Sequence, residues 1–224
     1  MFDTFLFAAL PYLAVAIAVV VGVYRYTTDR YSYSSQSSQF LENRMLFWGS
    51  VSWHYGILVV LAAHIVALMF WDQWAIVVSD PTRLYSLEVA GIALGLLAFF
   101  GLALLVVRRL VSSRAHAVTT PMDWVLLFVL LVQVAFGLFV SVRYRWGSDW
   151  YVHTAVPWLI SLFKLDPKIS YLTVLPWPVK VHAVGGFVLI ALFPFTRLVH
   201  VVTAPVTYLW RSYQLVVWNR RPSP

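Results

Sequence analysis

Five stretches of the 224-residue chain stay apolar for about the twenty residues an α-helix needs to cross the hydrocarbon of a bilayer. They fall at about 5–24, 46–71, 84–107, 123–142 and 177–201. Backbone polar groups in lipid must be satisfied within the segment, so each stretch is expected to be a helix. The fold class that follows is all-α, a five-span transmembrane helical bundle. Composition agrees: 61% of residues are hydrophobic and 11% charged, where a soluble domain carries about 25% charged residues. The formal net charge of +7 is therefore read as loop charge of a membrane protein and not as a nucleic-acid surface.

The basic residues also give a direction. The ends that follow the first, third and fifth spans hold Arg25, Arg30, Arg44, Arg108, Arg109, Arg114, Arg197, Arg211, Arg220 and Arg221. The opposite ends hold Arg83, Arg143, Arg145, Lys164, Lys168 and Lys180. Ten against six predicts the N-terminus outside and the C-terminus inside. The start, "MFDT", has an acid and no base, so the first run is expected to be an uncleaved span. The long outer connection, 143–176, contains "WYVHTAVPWLISLFKL" and is expected to lie on the membrane surface. No internal repeat divides the chain, which is read as one domain over 1–224 with an inner-side tail, 202–224, rich in aromatic and basic residues. Thr120 is the expected N-cap of the fourth span, with Pro121 in its first turn and Asp123 as helix-start chemistry. Gly91 and Gly95, four apart, are expected to let helices approach closely.

The chemistry lies in the histidines. His116 and His153 fall in loops, whereas His54, His64, His182 and His200 fall inside two spans. Ionisable residues within a membrane are costly and usually functional. On a continuous helix, His182 and His200 are five turns apart on one face, with a rise of roughly 27 Å, whereas His54 and His64 rise only roughly 15 Å. Antiparallel spans pair His64 with His182 on the outer side and His54 with His200 on the inner side. Two stacked bis-histidine pairs suit two b-type haems. The absence of cysteine excludes disulfides, thiolate-held iron–sulfur clusters and covalently attached haem. The competing chemistry is a histidine proton relay of a proton-coupled transporter. It is weakened by the lack of deep carboxylates, Glu88 near the outer end of the third span apart. The two unequal rises require a kink, which Pro194 can supply, and Gly185 and Gly186 are expected to leave space for a flat macrocycle. Arg197, three residues before His200, is the expected cationic partner of the inner haem's propionates, with Arg108 and Arg109 on the same side.

The segments "SSQ" (37–39), "WHYGILVVLAAHI" (53–65), "RRLVSSRAHAVTTPMDW" (108–124), "FPFTRLVH" (193–200) and "APVTYLWRSYQLV" (204–216) resemble the gamma subunit of respiratory nitrate reductase. That family is a dihaem cytochrome b anchor of the prokaryotic cytoplasmic membrane. The resemblance spans nearly the whole chain and is poorest over 143–176. It implies His54 and His200 as ligands of the inner haem iron, and His64 and His182 as ligands of the outer. It implies quinol oxidation near the outer haem, with His64 and Arg83 bordering the quinol site. Arg83 stands where the family usually has Lys. The implied partners are an iron–sulfur beta subunit and a molybdenum catalytic alpha subunit on the inner side, docked by the tail, together with the quinone pool. Related dihaem anchors serve sulfur-compound and heterodisulfide reductases, which leaves a second assignment of the same architecture open.

Overall fold

The computed structural model describes residues 1–33 and 44–203. The "SSQ" motif and the tail from residue 204 lie outside the described residues, so the expected docking role of 202–224 falls almost wholly beyond them. The helices run α1 (Phe2–Thr28), α2 (Arg44–Met69), α3 (Trp71–Val78), α4 (Pro81–Val111), α5 (Ser113–Ala117), α6 (Pro121–Arg143), α7 (Gly147–His153), α8 (Ala155–Phe163), α9 (Ser170–Thr173) and α10 (Trp177–Leu192). Among the described residues, α1, α2, α4, α6 and the stretch Trp177–Phe195 are long and apolar enough to cross a membrane. The all-α, five-span expectation therefore holds.

Helix ends follow their local chemistry. The Asp80 side chain accepts the Arg83 N–H at 2.9 Å and caps α4, with Pro81 in the first turn. Thr120 and Asp123 form a reciprocal capping box at the start of α6: Asp123 N–H donates to the Thr120 hydroxyl at 3.2 Å and Thr120 N–H to the Asp123 carboxylate at 3.0 Å. Two donors that an isolated helix would leave bare are thereby satisfied.

In space the spans form an arc, α2 against α4, α4 against α6, α6 against α10 and α10 against α1. The tightest crossing is α2 with α4. A Cβ added to Gly56 would stand 2.6 Å from the Leu94 carbonyl, and one added to Gly101 would strike the Trp53 amide and stand 2.7 Å from the Gly49 carbonyl. Glycine is what allows the two backbones to touch. The sequence pair Gly91 and Gly95 is split by the structure: Gly95 receives the Leu138 side chain of α6, whereas Gly91 faces open space.

The connection 143–176 is more than a surface segment. Trp158 and Leu162 of α8 form a buried cluster with Phe7, Ala155 and Leu172. Pro11 has no N–H to offer the Phe7 carbonyl four residues back. The Trp158 indole N–H donates to that carbonyl instead, at 2.9 Å, and the Tyr12 hydroxyl returns a bond to the Leu162 carbonyl at 2.9 Å.

The fifth span departs from the sequence expectation. A helix was expected to 201, but α10 stops at Leu192. A 3₁₀ turn follows over Phe193–Phe195, then Thr196 in extended backbone (φ −120°, ψ 179°), then a second 3₁₀ turn over Arg197–Val201. Pro194 cannot continue the α-helical hydrogen-bond ladder. The Thr196 hydroxyl then accepts the Leu198 N–H at 3.3 Å and starts the new turn. His182 and His200 therefore share neither a helix nor a face. From His182 to Leu192 the helix rises about 15 Å, the same as from His54 to His64. Beyond Leu192 the chain runs on to His200 in 3₁₀ and extended backbone, so the roughly 27 Å rise of a continuous helix no longer applies.

Candidate functional site

The span histidines are carried by α2 (His54, His64), by α10 (His182) and by the 3₁₀ turn Arg197–Val201 beyond it (His200), and α2 and α10 do not form a packed pair. The second buried apolar cluster, Leu102, Leu127 and Val134, lies between α4 and α6, and the first lies around α8. The fold brings the four imidazoles together in two pairs, His54 with His200 and His64 with His182.

Each of the four imidazoles is held by Nδ1 on a backbone carbonyl. His54 Nδ1 lies 2.7 Å from the Ser50 carbonyl, with the Ser50 hydroxyl at 3.2 Å. His64 Nδ1 lies 2.8 Å from the Val60 carbonyl. His182 Nδ1 lies 3.1 Å from the Gln133 carbonyl on the neighbouring helix α6. His200 Nδ1 bonds the Arg197 carbonyl. A carbonyl can only accept, so these contacts assign the proton to Nδ1 and the lone pair to Nε2 in all four. This is the tautomer and orienting bond that metal-binding histidines characteristically have. His116 also places Nδ1 on a carbonyl, that of Arg109 at 3.3 Å, but on the short helix α5 and against Trp124. His153 turns Nε2 toward Asp149 at 3.9 Å.

At one end of the span the His54 and His200 ring centres are 6.1 Å apart. Two imidazoles facing each other across one metal ion, at about 2 Å per bond, place their ring centres about 6 Å apart. The residues present thus fit a bis-imidazole iron site. Among the described residues no cluster of three or more His, Cys, Asp or Glu could hold an ion without a macrocycle.

At the other end, His182 lies within electrostatic reach of His64. Its ring is seated on Gly137 of α6, where an added Cβ would stand 2.9 Å from His182 Cε1. The Gln133 side-chain amide donates to the His182 carbonyl at 3.0 Å while the Gln133 carbonyl accepts from the His182 ring. Gly185 makes room for that side chain, since its added Cβ would strike Gln133 Oε1. The expectation that Gly185 and Gly186 both leave space is therefore corrected: Gly185 is filled by Gln133, and Gly186 alone opens onto free space. Tyr151 of α7 sets its ring edge-on to His64, 5.5 Å between centres. Burial pushes its phenol up to about 12, and its hydroxyl donates to the His64 carbonyl at 3.5 Å. Glu88 is absorbed structurally: its carboxylate accepts the Ser148 N–H at 3.0 Å and caps α7.

The arginines are placed less simply. Arg197 chelates Asp123, Nε to Oδ1 at 2.6 Å and Nη2 to Oδ2 at 2.8 Å. Its expected carboxylate partner is thus matched by one belonging to the chain. Arg108 is buried, and Arg109 feels Asp123, Arg197 and Arg108 together. Arg83 stands at the start of α4 with its side chain 56% exposed and 3.8 Å from Asp80. Sequence reasoning missed Gln133, although an amide midway along an apolar span is a recognisable signal. It also missed Tyr151, for which the sequence carries no signal.

The model of the nitrate reductase gamma subunit family matches residues 3–219. The nitrate reductase gamma chain of Bacillus subtilis (strain 168) is 32% identical over 221 residues, covering 96% of this chain and 97% of the relative. The respiratory nitrate reductase 1 gamma chain of Escherichia coli (strain K12) is 33% identical over 223 residues, 96% of each. An Hdr-like menaquinol oxidoreductase cytochrome b-like subunit of Archaeoglobus profundus is 26% identical over 200 residues, 83% of this chain and 56% of the relative.

Proposed function

The chain belongs to the nitrate reductase gamma subunit family, the multi-pass inner-membrane, cytochrome b-type subunit of an oxidoreductase complex, and we propose that it oxidises quinol and delivers the electrons toward nitrate. The observation that carries the proposal is the arrangement of His54, His64, His182 and His200, with the His54 and His200 ring centres 6.1 Å apart. Its four imidazoles each have Nδ1 engaged on a carbonyl and Nε2 left as a ligand.

In this reading His54 and His200 hold the inner haem iron, and His64 and His182 the outer. The haems supply one-electron carriers between quinol on the outer side and an iron–sulfur subunit on the inner side, which serves a molybdenum subunit that reduces nitrate. Quinol meets the chain beside His64, where Tyr151 offers a hydroxyl, with Arg83 at the outer start of α4 as the cationic rim. Proton release outside and electron delivery inside separate charge, at about 2.3 kcal/mol per elementary charge per 100 mV. At the inner end Arg108, Arg109 and Arg197 outnumber Asp123, a net positive setting that suits haem propionates. The expected tail, 202–224, is the docking segment for the two soluble partners.

The purified protein is expected to show a reduced-minus-oxidised cytochrome b spectrum with about two protohaems per chain, as two imidazole pairs require. A folded, colourless protein would sink the proposal. Substituting His54 or His200 should remove one haem signature and substituting His64 or His182 the other. The likeness to the Archaeoglobus profundus subunit favours a second reading, the same dihaem anchor serving a heterodisulfide-type reductase. Co-purification of a nitrate-reducing molybdenum subunit decides between them.

A further inference from the structure

The break that brings His200 to His54 creates a local problem. Carbonyls at an interrupted helix lose their partners four residues on, and Pro194 and Thr196 are both buried. Arg25, in the last turn of α1, answers both: its Nη1 donates to the Pro194 carbonyl at 2.7 Å and to the Thr196 carbonyl at 3.3 Å. The rest of the guanidinium is fixed from the other side. Nε donates to the Ser32 hydroxyl at 2.8 Å, Nη2 to the Ser32 carbonyl at 2.9 Å, and the plane lies 5.6 Å from the centre of the Tyr33 ring. Tyr33 in turn donates its hydroxyl to the Gly22 carbonyl at 2.7 Å, and its carbonyl accepts the Thr203 hydroxyl at 3.0 Å. The turn 29–33 and Arg25 thus grip the segment 194–203 before and after His200. Arg197, on Asp123, grips it from α6.

We propose that Arg25 is a positioning residue of the inner haem site, fixing the orientation of the His200 imidazole through the Pro194 and Thr196 carbonyls. This rests on the reading of His54 and His200 as the inner haem ligands. Arg25 does not touch the ligand ring itself. It acts on the backbone from which the ring projects, and the task needs a planar donor set that reaches two carbonyls and Ser32 at once. A lysine ammonium is a point charge and cannot reproduce that fork.

The test uses the full-length chain in its native membrane complex, with Arg25→Lys, Arg25→Gln, Arg30→Gln and His200→Ala. Arg30, whose guanidinium lies against the Tyr26 ring, serves as a nearby basic control. The readouts are haem per chain, the low-spin ferric EPR signals of the two haems, and their midpoint potentials. Arg25→Lys should keep both haems but shift the EPR signal and potential of the inner one alone. Arg25→Gln should lose the inner haem and keep the outer, and Arg30→Gln should match wild type. An inner-haem signal and potential unchanged in Arg25→Lys and Arg25→Gln overturn the proposal. If Arg25→Gln fails to assemble, the lysine variant decides alone, and an unshifted inner signal there overturns it. The haem reading fails separately, if the wild type binds no haem or if His200→Ala keeps the inner signature.

Discussion

Gly137 offers the sharpest test of how His182, the proposed outer haem ligand, is held. A methyl group at this position would stand 2.9 Å from Cε1 and 3.4 Å from Nδ1 of His182. Carbon atoms in good contact sit about 3.5–4.0 Å apart, so the imidazole would have to retreat by about 0.6 Å or more. It has little freedom to do so. The ring is bonded to the Gln133 carbonyl at 3.1 Å, and the Gln133 side chain holds the His182 backbone at 3.0 Å. Overpacking of this kind costs about 1–3 kcal/mol. Expressed wholly at the ligand, that weakens outer-haem retention by roughly 5- to 150-fold. The assay is haem stoichiometry together with resolved EPR signals in Gly137→Ala membranes. The outer-haem signal should shift or disappear, and the inner one should stay. Gly91→Ala is the matched control, because among the described residues no neighbouring element lies within 4 Å of the added methyl. Both haems unchanged in Gly137→Ala would refute the claim that α6 seats the His182 ring.

Gly101→Ala should be far more damaging, because its methyl would meet the Trp53 backbone and stand 2.7 Å from the Gly49 carbonyl. Neither can move without separating α2 from α4, so the expected outcome is loss of membrane-inserted, haem-loaded protein on a fluorescence-detected column. Trp158→Phe keeps most of the ring but removes the donor to the Phe7 carbonyl. An unsatisfied buried acceptor costs about 1–3 kcal/mol, which should appear as a lower melting temperature in detergent with both haems retained. Asp123→Asn strips Arg197 of its paired carboxylate, with Asp123 only 6% exposed. The cost should be about 3 kcal/mol, the low end for breaking a buried pair, since Arg197 keeps some solvent contact. The inner haem should be lost before the outer on mild denaturation followed by absorbance.

The five spans were legible because bilayer thickness sets a length that hydropathy reports directly. The proximity of His54 to His200 and of His64 to His182 was legible because antiparallel topology permits one pairing. What the sequence could not reveal were contacts made across helices. Gly185 reads as open space until the Gln133 side chain is seen to fill it. Gly91 reads as a packing residue until the partner helix is seen to meet Gly95 instead. Arg197 reads as a haem-carboxylate partner, and only the fold shows that Asp123, seventy-four residues away, also holds its guanidinium. Pro194 did signal a kink, yet its depth depended on Thr196, whose extended backbone turns a bend into an interruption.

That interruption makes the two proposed ligand sites physically unlike. His182 projects from a continuous helix, and its position is set by close packing against Gly137 and a reciprocal bond with Gln133. His200 projects from a short 3₁₀ turn, which has poorer hydrogen-bond geometry than an α-helix and little stability of its own. Its position is set by charged side chains brought from α1 and α6, Arg25 and the Asp123–Arg197 pair. Packing in a membrane interior responds weakly to ionic conditions, whereas a charge-held segment at the interface is open to screening and to neighbouring subunits. Salt and partner removal should therefore perturb the inner haem's spectrum and potential before the outer's. A titration of the isolated chain with salt, in which the outer signal moved first, would contradict this division of labour.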